Sequence, residues 1–410
     1  MGTLTRSTDP GVDDLIAILL VRGILLRALT QALASPEVSL EAITLTFGNT
    51  TLDYAFGNLL RLSNALRITN ENGRIENETL RERIMYGMNG KPVPVALGAT
   101  KPLGGNLFTA SYFHGRDGMS GVSFLPGDPF PMAHDTPLFS TNAHDLPADE
   151  LILDVIRRHP PHTVRIAAVA PLTNLAQAYQ KAPETFRRVG AICVMGGALE
   201  HPGNTSPVAE FNFFADPWAA KLLIEDAQEG GALPIHLLPL DITTVHTLPF
   251  SRLVREESDA LHQSSCLVRL ISLFLRKPRA VTNSFAPRDV PFDPSKYDLF
   301  EAHDPLAVGY AIFGFNGGWG TTQRQFQIET DGRLTRGFCV VDRRNLGDTY
   351  TGRNKADVEA QQGPTDEHGI EGSSKVENPV QRGPPSVTVV TQSPGSAWFG
   401  DMLLNRLNMK

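Results

Sequence analysis

Short apolar runs recur along the chain at residues 40–47, 93–97, 164–170, 191–195 and 235–240, and the stretches between them carry apolar residues at helical spacing. Helix is expected over residues 13–33, 52–66, 146–158, 172–182, 217–229, 251–276 and 305–313. Strands that alternate with helices pair in parallel, because each helical crossover returns the chain to the edge from which the last strand began. Apolar strands of this kind are covered on both faces. The expected fold class is therefore α/β, a mostly parallel central sheet with helices on both sides, of the open Rossmann-like type. Such sheets bind ligands beyond the carboxyl ends of their strands, so the residues just past each run are the first to inspect.

The polar, Gly- and Pro-rich stretch 343–385 has no period and reads as a disordered surface loop, while 386–391 reads as a strand and 397–407 as a closing helix. The expected organisation is a catalytic domain over 1–342, the insertion 343–385, and a strand and helix in 386–410 that complete the same domain. With 37 Lys and Arg against 44 Asp and Glu, a net charge of −7 and no basic run, the chain lacks the footprint of a nucleic-acid binder. Cys193, Cys266 and Cys339 show no C-x-x-C spacing, which argues against both a zinc cluster and a disulfide framework and for a reducing compartment. The most apolar stretch, residues 15–21, is followed by Arg22 and Arg27 and is too short to span a bilayer. A cytoplasmic protein without a membrane partner is expected, and the three N-x-[ST] sequons at Asn49, Asn77 and Asn204 are read as coincidences.

The sharpest local signal is Thr8-Asp9-Pro10-Gly11-Val12-Asp13-Asp14, in which three carboxylates flank a Pro-Gly turn that opens a helical pattern. One reading is an acidic helix start, favoured by capping and the macrodipole. The other is a metal site. Carboxylates folded against each other repel unless a cation or a shared proton neutralises them, and an all-oxygen set without His or Cys spacing suits Ca²⁺ rather than zinc.

Together with six further motifs, this turn resembles the inosine–uridine-preferring nucleoside hydrolase family, whose opening signature is D-x-D-P-G-x-D-D. The six occur in order: Gly48-Asn49, HGRDG at 114–118, APLTN at 170–174, MGG at 195–197, GNTSPVAEFNFFADP at 203–217 and HDP at 303–305. The resemblance covers roughly residues 7–342 and the C-terminal strand and helix. It implies hydrolysis of the N-glycosidic bond of ribonucleosides, a reaction that needs an activated water, groups that grip the ribose, and help for the departing base.

Carried onto this sequence, the resemblance makes Asp9 the base and a metal ligand, Asp14 a bidentate ligand, and Asp304 the carboxylate that completes the cage. The backbone carbonyl of Val169 would be a further ligand. Asp13, Asn49, Asn204, Glu210 and Asn212 would bond the ribose hydroxyls, with Glu210 or Asn212 favouring the positively charged sugar of the transition state. Without the family context, residues 204–212 also read as an ordinary loop in which Asn forms turns. Met195 is either packed under the sugar or simply core. His303, beside Asp304, is the candidate acid for the leaving base, although a lone His is commonly structural. His114, in its Gly-flanked loop, approaches the base or the ribose. Trp218, Trp319 and Trp398 are weaker candidates for stacking on the base. The family also implies a homodimer or homotetramer.

Two features depart from the family pattern. Ser7 stands where an Asp is usual, which removes a carboxylate next to the proposed metal, and residues 2–7 make a short, polar lead-in for a central strand. Residues 21–31 are extra and, if helical, add about three turns. These departures motivate a second reading, a catalytically impaired nucleoside-binding homologue. A third, a metal-dependent phosphoryl hydrolase, is disfavoured because no P-loop is present.

Overall fold

Strand formation tracks the apolar runs closely: β2 (Val38–Leu45), β3 (Val93–Leu97), β5 (Val164–Ala168), β6 (Ala191–Met195) and β7 (Ile235–Leu238) all fall within or beside them. In the computed structural model, which describes residues 2–8, 38–74, 90–133, 139–140, 146–226, 233–256, 263–343 and 387–407, these strands join β1 (Gly2–Thr8), β4 (Phe139–Ser140), β10 (Gly320–Arg324) and β13 (Val387–Gln392). They form one nine-stranded sheet in the order β10-β13-β7-β6-β5-β1-β2-β3-β4. Every neighbouring pair is parallel except β10 with β13. The expected α/β class is observed.

Chain winding places the ligand crevice. From β1 the chain steps outward through β2, β3 and β4, then returns to the other side of β1 with β5 and steps away through β6 and β7. The winding therefore reverses between β1 and β5, and a sheet of this type opens a crevice at that point beyond the strand ends. Ser7 pairs in register with Ala168, and Thr8 with Leu45. The polar lead-in is thus the central strand, hydrogen-bonded on both sides by its backbone. The acidic turn with Asp9, Asp13 and Asp14, the expected helix 13–33, the extra stretch 21–31 and nearly all of the 343–385 insertion lie outside the described residues.

Alternation along the strands builds one core on each face. Ala167, Val169, Ala191, Cys193, Met195 and Leu238 belong to a cluster that includes the helices Leu52–Glu71, Cys266–Phe274 and His303–Phe313. Ile166, Ala168, Ile192, Val194 and Leu237 belong to the other, with Ala148–Arg158 and Thr173–Lys181.

Several expected elements differ in extent. The helix expected over 217–229 is a short α-helix, Pro217–Lys221, running into a π-helical turn, Leu222–Asp226. The one expected over 251–276 is broken into Phe250–Leu253, Cys266–Phe274 and Arg276–Ser284. Ser265 caps the second piece by accepting from the Val268 N–H at 3.3 Å. Pro278 explains the last break, because it has no N–H for the carbonyl of Phe274 four residues earlier. The Ser120 hydroxyl donates to that carbonyl instead. Two small antiparallel pairs, β8 (Thr247–Pro249) with β9 (Leu299–Glu301) and β11 (Gln327–Ile328) with β12 (Cys339–Val340), have no counterpart among the expected strands.

Candidate active site

The loops at the carboxyl ends of the strands are tied together by buried side chains of the recognised motifs. Asn174 of APLTN donates to the carbonyl of Leu45 at the end of β2 and accepts from the N–H of Ala99 after β3, both at 2.9 Å. A Cβ on Gly98 would lie 2.2 Å from the Asn174 side chain, so only glycine lets the amide reach both strand ends. Thr46 donates to the carbonyl of Ala99 at 3.2 Å, and Asn49 follows in a buried turn.

Acids of the other motifs hold backbone. Asp117 of HGRDG is fully buried and accepts from the N–H groups of Met119, Gly121 and Ser123 and from the Ser123 hydroxyl, at 2.7–3.0 Å. Glu210 caps the short helix Phe211–Ala215 by accepting from the N–H groups of Asn212 at 2.7 Å and Phe213 at 3.1 Å. It also accepts from Gly197 at 2.9 Å, which fixes the loop after β6. Burial pushes the Glu210 carboxyl above the usual range, and the three backbone donors and His303 pull against that rise.

Asn212 donates to the carbonyl of Met195 at 3.1 Å, so Met195, Glu210 and Asn212 form one buried group at the end of β6. Asn204 accepts from the N–H of Phe211 at 3.0 Å. Val169 lies one residue past β5, its side chain in the core, which leaves the side chain no part in chemistry. Asp304 sits in the first turn of His303–Phe313, 2% exposed, where the helix N-terminus favours a carboxylate.

A cavity of about 360 Å³ opens among these loops. Asn49, His114, Asn204 and His303 all line it, although 254 residues of sequence separate the first from the last. Met195, Glu210 and Asn212 are not among its described lining, whereas Phe211, between Glu210 and Asn212 in the chain, is. Ala110, Phe113, Phe211, Phe285 and Phe300 are its apolar lining, with Tyr112 at hydrogen-bond range of Thr205, 3.4 Å away.

His303 is held from both sides: its Nδ1 is 2.8 Å from the Thr243 hydroxyl and its Nε2 is 3.1 Å from the Glu301 carboxylate. Burial works to raise the Glu301 carboxyl, yet the contact with His303 and the more distant His201 hold it below the usual range. Glu301, Thr282 and Phe285 were not among the sequence-derived candidates. For Glu301 the available signal is its place two residues before His303; for Thr282 and Phe285 no local pattern marks them.

The tryptophans are engaged elsewhere. Trp218 lies under the Arg336 guanidinium, 4.9 Å from the ring centroid, and Trp319 packs edge-on against Tyr310 and Trp398. Among the described residues no group of three His, Cys, Asp or Glu side chains comes together to hold a metal, and no helix is long and apolar enough to cross a membrane.

Comparison with known proteins adds the family. The sequence profile described as inosine-uridine preferring nucleoside hydrolase matches residues 5–371. The chain is 31% identical to the inosine-uridine preferring nucleoside hydrolase of Leishmania major, over 82% of this chain and 85% of that protein. It is 30% identical to a pyrimidine-specific ribonucleoside hydrolase of Enterobacter sp., over 82% and 86%. Among solved structures, the purine-preferring ribonucleoside hydrolase from Gardnerella vaginalis superimposes with a TM-score of 0.65 at 22% identity, over 99% of this chain and 98% of that one. That last likeness bears on the fold alone.

Proposed function

The chain belongs to the inosine-uridine preferring nucleoside hydrolase family, whose members act on the N-glycosyl bonds of nucleosides, and from that premise we propose a Ca²⁺-dependent hydrolase that splits ribonucleosides into free base and ribose. The observation that carries the reading is the convergence of Asn49, His114, Asn204 and His303 on one cavity beside the buried Asp304.

The donor set fits the cation. Asp9, Asp14 and Asp304 with the Val169 carbonyl are all hard oxygen donors, and Val169 and Thr8 leave adjacent strands at the point where the winding reverses. When bound, Ca²⁺ would supply a hard positive charge that holds and polarises water. Asp9 takes the proton from the attacking water. Asp13, Asn49 and Asn204 accept from or donate to the ribose hydroxyls, and Glu210 and Asn212 complete the grip while Met195 packs beneath the sugar. His114 closes the cavity beside Tyr112. His303, steadied by Thr243, donates a proton to the departing base. Residues 1–342 and 386–410 form a single catalytic unit around the insertion 343–385, acting in the cytoplasm as a homodimer or homotetramer.

The test is release of reducing sugar from inosine, adenosine, guanosine, uridine and cytidine, with and without a Ca²⁺ chelator. Chelator-sensitive release by the wild type, and none by Asp9→Ala, is the expected result. Normal turnover by Asp9→Ala removes the proposed base, and turnover unaffected by chelation removes the metal. A folded, Ca²⁺-binding protein that releases no sugar is instead an impaired nucleoside-binding homologue.

A further inference from the structure

Glu301 occupies a place in the cavity that the proposed hydrolytic steps do not use. It ends β9, lies two residues before His303, and is 48% exposed toward the space that the other lining residues enclose. One of its oxygens, Oε2, faces His303 Nε2 at 3.1 Å, and Oε1 makes no hydrogen bond among the described residues. We propose that Glu301 reads the departing base by accepting a hydrogen bond from an N–H on its edge, so that the site takes bases presenting such a donor and rejects bases presenting only acceptors. The inference rests on the nucleosidase reading and adds to it the chemistry of the base.

Three features support this assignment. The group that protonates a leaving base must lie against that base, and Glu301 is in contact with His303. The surfaces next to it, Phe285, Phe300 and Tyr112, give a flat ring somewhere to lie but no direction in which to point. An ionised carboxylate differs from the amides on the other side of the cavity in being an acceptor only. The contact with His303 keeps Glu301 ionised at neutral pH. A lactam N–H satisfies Oε1. A ring nitrogen lone pair in the same place loses that bond and is also repelled, so selection works against one class as well as for the other.

Inosine and purine riboside separate these cases, because hypoxanthine carries a ring N–H where purine carries a lone pair. A hydrogen bond to a charged group at a half-exposed site corresponds to about 10-fold, the low end of the range for such bonds. Wild type is expected to favour inosine in kcat/KM by at least that factor. Glu301→Ala, which also releases one side of His303, should slow both substrates but cost inosine about 10-fold more than purine riboside. Glu301→Gln should move the preference toward purine riboside, since an amide N–H can donate to the lone pair. p-Nitrophenyl riboside, which needs no acid and carries no ring N–H, should be indifferent to both variants.

If Glu301 serves only to orient His303, both variants slow inosine and purine riboside by the same factor, and the proposal is overturned. Calorimetric Kd values for hypoxanthine and purine are taken on the same samples. A wild type that turns over nothing but binds hypoxanthine more tightly than purine, with the difference lost in Glu301→Ala, keeps the base-reading role and discards the hydrolase. Turnover with an unchanged substrate ratio discards the role and keeps the hydrolase. Neither turnover nor base binding discards both.

Discussion

On one side of the cavity, residues 110–124 fold around the carboxylate of Asp117, which accepts four hydrogen bonds, while Thr50 donates to the Arg116 carbonyl at 2.9 Å and Asn58 to the Asp117 carbonyl at 2.8 Å. On the other side, residues 276–301 carry an ion pair. Arg279 donates to both oxygens of Asp298 at 2.7 and 2.8 Å, and Asn283 adds a third bond at 3.1 Å. Between these anchors the chain leaves Phe285 74%, Val290 49% and Phe292 49% exposed. The first wall spends its buried polar groups inward on its own backbone, although its Tyr112 and Phe124 are exposed too; the second turns apolar side chains to solvent along the loop between its anchors. That division sets a fixed frame on one side of the cavity against a more accommodating surface on the other.

Mutations that attack each wall should separate frame from surface. Asp117→Ala strands three buried N–H donors, and the expected loss is about 3 kcal/mol of stability, measured by urea denaturation, together with loss of turnover. An undisturbed denaturation midpoint would mean that the first wall does not depend on its acid. Arg279→Met leaves the buried Asp298 with only Asn283, at an expected cost of about 2 kcal/mol near neutrality. Burial works to raise the Asp298 carboxyl, but Arg279 and Asn283 hold it below the usual range. A carboxyl depressed by folding stabilises above its unfolded pKa, about 3.9, and loses that contribution as the pH falls through the folded value. Wild type and Arg279→Met should therefore differ at pH 7 and the gap should shrink as the pH falls below about 3.9, and a gap of constant size would sever the link to Asp298. Phe285→Ala, at so exposed a position, should change stability by less than about 0.5 kcal/mol while raising KM for nucleosides. A large stability change with KM intact would reverse its assignment from surface to frame.

Legibility in the sequence divides along similar lines. β3 and β6 have the boundaries that their apolar runs indicate, because the ends are marked by Pro92 and Gly98 for one and by Gly190 and Gly196 for the other. β5 and β7 stop two residues short of theirs, at Ala168 and Leu238, since the next residues are apolar for the sake of the core and not of the ladder. The helix expected over 251–276 overruns its true limits for the same reason, and Ser265 and Pro278 are the local marks of where the pieces end. Asn49, His114, Asn204 and His303 were legible through ordered motifs and do meet. The backbone-holding duties of Asp117 and Glu210 were not legible. Nothing in a sequence says whether an acid beside glycines will accept from N–H groups or from a ligand, and that depends on which loops the fold closes over it. The short strands β8, β9, β11 and β12 escaped notice because two or three residues carry too little periodicity to register.

The exchange at Pro278 has a consequence for how this chain can vary. Its missing N–H is made good by a hydroxyl from the opposite wall, and the same Ser120 oxygen accepts from the Lys277 N–H at 3.2 Å. Positions 120 and 278 are thus epistatic. Losing Ser120 is costlier while proline is present, and restoring a donor at 278 relieves the serine of one of its two bonds, so substitutions tolerated here depend on the order in which they arise.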